Sequence, residues 1–338
     1  MSTAEPIESQ QLRRAGSFGV NWVPIALVVC LASVPLIAGL TDNPFLIRLF
    51  TRIVIFAIVA VALNFVLGFG GLISMVHAAL FGIGAYVVAI AAFHEFESEP
   101  ILGWAGTVDL ALTIPLAIVV TSLIAAAIGF ISLRTSGLYF IMITLAFNQM
   151  FFYFFSGLGK YGGSDGLQIL AGLTFAGWNL PTRTPFYYLC LVVLIFTLIV
   201  LAKIVRSRFG TILVAARQNE RRLYAIGVEP TPYKLLAFVI SGAFCGLAGA
   251  LWAASQGFVS PADMSWMRSG EFVVIAVLGG MSRVWGPVVG AIAFLTLEVG
   301  LSDWTTYWQL PIGLGMIAIV VFLQDGLAGA LTFGKPRK

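Results

Sequence analysis

The chain holds two histidines, His77 and His94. His94-Glu95 begins like the metalloprotease signature H-E-x-x-H, but Phe96 and Glu97 follow and Ser98 stands where the second histidine is needed. With two histidines in all, a multi-histidine metal centre cannot be built, and neither metal nor cofactor is expected. Gly329-Ala-Leu-Thr-Phe-Gly334-Lys335 fits G-x-x-x-x-G-K, but Pro336 follows where a Ser or Thr must open a helix. No phosphate cradle is expected there, and the chain is not expected to hydrolyse ATP. Cys30, Cys190 and Cys245 each lie deep in apolar sequence, far from one another, and read as small packing residues rather than disulfide partners or ligands. Asn64, Ser74, His77, Thr144 and Asn148 are polar groups within apolar runs. Their chemistry is hydrogen bonding, either to a polar solute on a pathway or to neighbouring helices, the second reading applying especially to Asn148 and Gln149.

The elements that must position them are set by composition. Of 338 residues, 59% are hydrophobic and 10% charged, against roughly a quarter charged in soluble domains. So few charges cannot cover a soluble surface. A soluble enzyme, a disordered protein and a disulfide scaffold are excluded, which leaves an all-α polytopic membrane protein. The net charge of +4 is read as basic loops on the cytoplasmic side, since nothing resembles a nucleic-acid-binding module.

A membrane-crossing helix takes roughly 20 apolar residues. Ten segments approach this: 23–40, 53–68, 72–93, 108–132, 137–156, 186–201, 235–255, 272–281, 287–301 and 310–323. The eighth is too short to cross alone and reads as a half-helix or re-entrant segment, tolerated where protein or a cavity covers its ends. The apolar run of 23–40 is too long for a signal peptide and lacks an A-x-A site, so it is expected to be retained. Ten crossings put both termini on one side. With the termini inside, fourteen basic residues face the cytoplasm and five face out. Glu271, Glu298 and Asp325 fall near span ends, so no intramembrane carboxylate pair suggests a proton relay; sodium coupling through backbone carbonyls stays open. The layout is a tail (1–22), one transmembrane domain (23–330) and a basic tail (331–338), with an outer loop at 157–185 and an inner loop at 202–234.

The stretch 63–86 carries four glycines plus Gly84, with Asn64, Ser74 and His77, inside apolar sequence. It is either an unwound segment near a pathway or a tight interhelical turn whose polar groups are satisfied. A second broken region, Leu278-Gly279-Gly280 to Trp285-Gly286-Pro287, resembles it weakly enough that an inverted repeat stays only an option. Gly242-x-x-x-Gly246-x-x-Gly249 and Gly286-x-x-x-Gly290 are small-residue packing faces. In the inner loop, 211–226 can form a helix with Gly227 and Pro230 as stops. It is either a basic segment on anionic lipid headgroups or a short helix that docks a partner.

Together the motifs resemble a known family. Leu63-Asn64 through Tyr86, Ser136-Gly137-Leu138-Tyr139-Phe140 with Thr144-Leu145-Ala146-Phe147, Gly162-Gly163-Ser164-Asp165-Gly166-Leu167, Arg217-Gln218-Asn219-Glu220-Arg221, Tyr233-Lys234-Leu235-Leu236-Ala237-Phe238, and Leu278-Gly279-Gly280 with Trp285-Gly286-Pro287 occur in an order similar to the M-type (LivM) permease subunit of branched-chain amino acid ABC importers. The resemblance spans about 53–330. It implies that 216–227 is a coupling helix for an ATPase subunit, with Arg217, Asn219, Glu220 and Arg221 as contacts; Ala215-Ala216 with Gly227 departs from the E-A-A…G spacing of other importers. It further implies a paralogous permease partner, two ABC ATPase subunits and a periplasmic binding protein, with Ser164 and Asp165 as contacts for the last, unless that loop is a plain glycine turn. The implied location is the bacterial inner membrane. Urea, short-chain amides or aromatic acids are the alternative cargo within the same wider family, and a stand-alone carrier or channel is the alternative class.

Overall fold

The structure, a computed structural model, describes residues 22–97, 106–170, 172–175, 178–179, 183–281, 283–302, 304, 307, 309–322 and 326–330. The tails at 1–21 and 331–338, the acid run beyond Glu97, Asp325 and most of the Gly329–Lys335 match lie outside the described residues.

Each of the ten expected segments corresponds to a helix. In chain order they are α1 (Trp22–Leu40), α2 (Pro44–Asn64, continuing as a π-turn Phe65–Phe69), α3 (His77–Glu97), α4 (Leu110–Ser132), α5 (Leu138–Ser156), α6 (Arg183–Arg206), then α7 (Arg208–Gln218) and α8 (Glu220–Ala225) in the inner loop, followed by α9 (Thr231–Gln256), α10 (Trp266–Gly279), α11 (Gly286–Ser302), α12 (Gln309–Phe322) and a short α13 (Gly326–Ala330). Among the described residues seven helices are long and apolar enough to cross a membrane. At 1.5 Å per residue the 14 residues of α10 reach about 21 Å, short of a hydrocarbon core of about 30 Å. Outward-facing apolar side chains such as Val29, Leu36, Leu123, Phe130, Met142, Val192, Phe196, Leu314 and Ile317 are exposed along these helices. An apolar belt of this extent fits lipid, and the protein is a membrane protein.

Sequence chemistry explains the boundaries that moved. The second span begins at Pro44, nine residues before 53, because the Asn43 side chain accepts from the Phe45 N–H at 3.1 Å and Pro44 needs no donor partner. The third begins at His77 rather than 72, because Gly70–Val76 is unwound. The single helix expected at 211–226 is two. Asn219 is extended (φ −162°, ψ 102°), closing α7 while its side chain accepts from the Arg222 N–H at 3.3 Å to open α8.

α2 is apolar on all sides and buried all round from Ile53 to Asn64, as a helix at the centre of a bundle must be. α6, α9, α10 and α11 pack around it, and α3 and α4 pack on α9. The glycine faces make those crossings close: a Cβ on Gly84 would lie 2.6 Å from the Gly246 Cα, and one on Gly242 would lie 2.6 Å from the Ala125 Cβ. Cys190 and Cys245 are buried and all three cysteines are free.

The bundle has two chemically different ends. At one meet the 68–71 break, the α4–α5 turn, α7, α8 and the α10–α11 connection; among described residues Arg134, Lys203, Arg206, Arg208, Arg217, Arg221, Arg222, Lys234 and Arg283 stand there against Glu220 and Glu229. At the other, β1 (Leu167–Gln168) pairs with β4 (Phe258–Val259), antiparallel, Leu167 opposite Val259; β2 (Thr174–Phe175) pairs with β3 (Trp178–Asn179). Here Arg52 pairs with Glu298 at 2.9 Å, and Arg268 lies 2.6 Å from Glu271 and 3.6 Å from Asp263. Both guanidiniums sit over the Phe56 ring, at 5.3 and 5.5 Å. Burial pushes the Asp263 carboxyl up from the usual carboxylate range, opposed by Arg268 and by the Trp252 Nε1–H that it accepts.

Because the α3–α9 crossing admits no Cβ, Gly84→Val is expected to cost about 1–3 kcal/mol or to prevent folding. Gly39→Ala, with nothing within 4 Å, is expected to shift stability by less than about 1 kcal/mol. Thermal unfolding of the two purified variants checks this.

Candidate functional site: a broken span and the loop that grips it

Inside a membrane an unwound backbone is tolerated only when its polar groups find partners. The N–H groups of Gly71 and Leu72 reach back to Leu67 and Val66 carbonyls at 3.1 and 3.2 Å. Met75 N–H donates to Thr144 Oγ1 on α5 at 3.2 Å. The start of α3 then exposes orphan donors, and other helices cap them. Ala78 N–H donates to Ser269 Oγ on α10 (3.2 Å) and Ala79 N–H to Asn148 Oδ1 on α5 (3.0 Å). Ser269 Oγ donates to the Met75 carbonyl (2.7 Å), and Asn148 Nδ2 to the Met264 carbonyl (2.7 Å). His77 Nε2 is 2.9 Å from Ser241 Oγ on α9, whose hydroxyl donates to the Ala62 carbonyl on α2 (2.6 Å). Three helices, α5, α9 and α10, therefore supply the partners that the break and the first turn of α3 lack.

Ser74, His77, Thr144 and Asn148 thus come together around 74–79, all buried. Asn64 lies apart, on α2, where Nδ2 donates to the Arg283 carbonyl at 3.0 Å. That bond joins the two glycine-rich breaks. A Cβ on Gly286 would lie 3.1 Å from the Gly279 carbonyl oxygen, and Arg283 Nη1 donates to the Ala328 carbonyl of α13 at 3.3 Å. Residues 64–71 and the 278–287 stretch meet at the basic end.

Arg217, at the end of α7, donates through Nη1 to the Gly68 carbonyl in the π-turn. Its stem crosses Gly71 so closely that a Cβ there would lie 2.7 Å from Arg217 Cγ, and Gly71 has φ +69°, a conformation open to glycine. Leu213 packs near Gly70, and the Phe65 and Phe209 rings stack at 6.5 Å. Glu220 pairs with Lys234 at the start of α9. Asn219 caps α8, and Arg221 is exposed beside Arg222, Tyr224 and Ile226. So of the four expected contact residues, Arg217 and Glu220 also hold the loop to the bundle. At the opposite end Ser164 and Asp165 are exposed on a 3-10 turn between glycines of positive φ, Gly162 and Gly166.

Sequence reasoning missed Ser241, Ser269, Lys234 and Arg283. Ser241 precedes the Gly242 packing face, which was a usable sign; Ser269 follows a helix start and looks like any polar residue. Among the described residues no cluster of His, Cys, Asp and Glu is placed to hold a metal.

A polytopic bundle with broken, side-chain-capped spans and a basic loop clamped to one break is the architecture of a membrane permease subunit. The profile of the family described as branched-chain amino acid transport system, permease component, matches residues 45–323, and the chain belongs to that family. It is 30% identical over 302 residues to the high-affinity branched-chain amino acid transport system permease protein LivM of Salmonella typhimurium, covering 82% of this chain and 68% of that protein. LivM of Escherichia coli is 30% identical over 305 residues, with the same coverage. The D-allose transport system permease protein AlsC of E. coli is 25% identical over 263 residues, 72% of this chain and 79% of that one. No solved structure matches the chain.

Asn148→Leu removes the acceptor for Ala79 N–H and the donor for the Met264 carbonyl. At about 1–3 kcal/mol per orphaned buried group, it is expected to destabilise the protein by about 2 kcal/mol or more. Thr144→Val, which strands the single donor of Met75, is expected to cost about 1 kcal/mol. Thermal unfolding in nanodiscs ranks the two.

Proposed function

We propose that the chain is a transmembrane subunit of an ATP-driven importer for branched-chain amino acids, working in a bacterial inner membrane. The family match across residues 45–323 carries this reading. The basic end is assigned to the cytoplasm by the positive-inside rule, and with it both termini. There α7 and α8 receive an ABC ATPase subunit, one of two. Arg221 with Asn219 meets it directly; Arg217 and Glu220 transmit. A paralogous permease completes the membrane pathway. A periplasmic binding protein docks at the other end, near Ser164 and Asp165.

The mechanism follows from the contacts. When the ATPase dimer closes, α7 and α8 move as a rigid piece. Arg217 carries that displacement to the Gly68 carbonyl, and the π-turn is the part of the span able to give, since π-bulges mark functional breaks. Asn64 passes the motion to the second break through the Arg283 carbonyl. Ser74, His77, Thr144 and Asn148 frame the unwound segment beside the pathway, holding its shape in place of bulk water. The ATPase partner burns the nucleotide; this chain converts the stroke into a change of access.

In proteoliposomes holding the complete transporter, ATP-dependent uptake of leucine, isoleucine or valine from a loaded binding protein is expected. Uptake of urea, an amide or an aromatic acid instead would overturn the cargo assignment, and uptake without the ATPase would overturn the class. Glu220→Arg and Arg221→Glu are expected to lower uptake by about tenfold or more, a loss of at least about 1.4 kcal/mol of coupling, while ATP hydrolysis continues. Normal uptake in both contradicts the docking assignment.

A further inference from the structure

A cavity of about 550 Å³ opens at the basic end between the α4–α5 turn, the first residues of the break and the α7–α9 segment. Its size falls in the range of small-molecule sites, ~300–1,000 Å³. Arg134, Arg217 and Lys234 line it against one carboxylate, Glu220, with the hydroxyls of Thr135 and Ser136 alongside. Glu220 is already paired with Lys234. Arg217 donates to a neutral carbonyl, which leaves its charge uncompensated. The Arg134 guanidinium rests over the Phe130 ring at 4.9 Å. The residues lining the cavity thus carry an excess of two positive charges.

What surrounds it selects the anion. The cavity lies where α4 ends and α5 begins, and the residues flanking it there are apolar and outward-facing: Phe130 is 60% exposed, Ile131 51%, and Leu138 and Tyr139 73% each. An ion free in water has no use for that flank. An amphiphile does, with its charged group between Arg134 and Ser136 and its chain along Phe130 and Leu138. We propose that this cavity binds the phosphodiester headgroup of an anionic phospholipid. Because Glu220 and Tyr224 of α8 line the same space, an occupied cavity braces the segment that Arg217 ties to the break. The proposal holds whatever solute the chain carries.

The test is binding of phosphatidylglycerol to the purified full-length chain in phosphatidylcholine nanodiscs, followed with a spin-labelled lipid and by native mass spectrometry. The wild type is expected to retain phosphatidylglycerol in preference to phosphatidylcholine. Arg134→Gln is expected to weaken binding about fivefold, the worth of one cation near a charged headgroup, and Arg134→Lys to restore most of it. Arg134 is exposed in a turn, so neither change threatens the fold. Equal retention of the two lipids, or equal binding by Arg134→Gln and wild type, overturns the site. Release of the labelled lipid by millimolar inorganic phosphate alone overturns the lipid assignment in favour of a free phosphate ion.

Discussion

A backbone that leaves its helix inside a membrane must have its amides and carbonyls satisfied by the protein itself, and the run from Gly70 to Ala79 is governed by that requirement. An unpaired peptide group in an apolar medium costs several kcal/mol. The chain meets this with side chains drawn from α5 and α10, Thr144, Asn148 and Ser269, while Ser241 on α9 meets the His77 ring. The consequence is that the break is a junction. Helices remote in sequence converge on it because each supplies a donor or acceptor that the unwound segment lacks, and their relative placement is fixed by those bonds as much as by apolar packing.

The same logic extends to the basic end. The π-turn frees carbonyls, and one of them, at Gly68, is met by Arg217 from outside the bundle core. Glycine at 71 lets the arginine stem lie flat on the turn. The neighbouring break at 278–287 is joined through Asn64 to the Arg283 carbonyl. Two weak points of the transmembrane scaffold and the peripheral loop thus share one contact cluster. A load on α7 and α8 reaches the breaks directly, without having to bend intact helices. Under the proposed function, this is the route by which a motor docked on α7 and α8 would alter access across the bilayer.

Much of this was legible beforehand, and the limits have physical causes. Composition and apolar run length place a helix at each of the ten expected segments, and among the described residues seven helices are long and apolar enough to cross a membrane. Start points slipped where a local device decides: Asn43-Pro44 lengthens α2, and Asn219 divides the inner loop because its side chain satisfies α8 better than a continuous helix would. Asn64, Ser74, His77, Thr144 and Asn148 stand out in sequence because polar groups in apolar runs need partners. Who those partners are was not legible. The bonds of His77 to Ser241 and of Ala78 to Ser269 span 164 and 191 residues, and such pairings depend on helix packing that periodicity does not encode. Arg217 was singled out for a partner protein through the family resemblance; its grip on Gly68 comes from the three-dimensional arrangement alone.

The central claim is that α7, α8 and residues 68–73 of the break move as one body because Arg217 joins them. Spin labels at Ile73, which is 43% exposed, and at Arg222, exposed on α8, allow that to be read by pulsed electron–electron resonance in the proposed transporter, assembled with its ATPase, with and without ATP. A single narrow 73–222 distance that survives ATP binding, and that broadens in Arg217→Ala, is what the account predicts. A distance that changes on ATP binding with Arg217 intact, the loop moving while the break stays with the core, would contradict it.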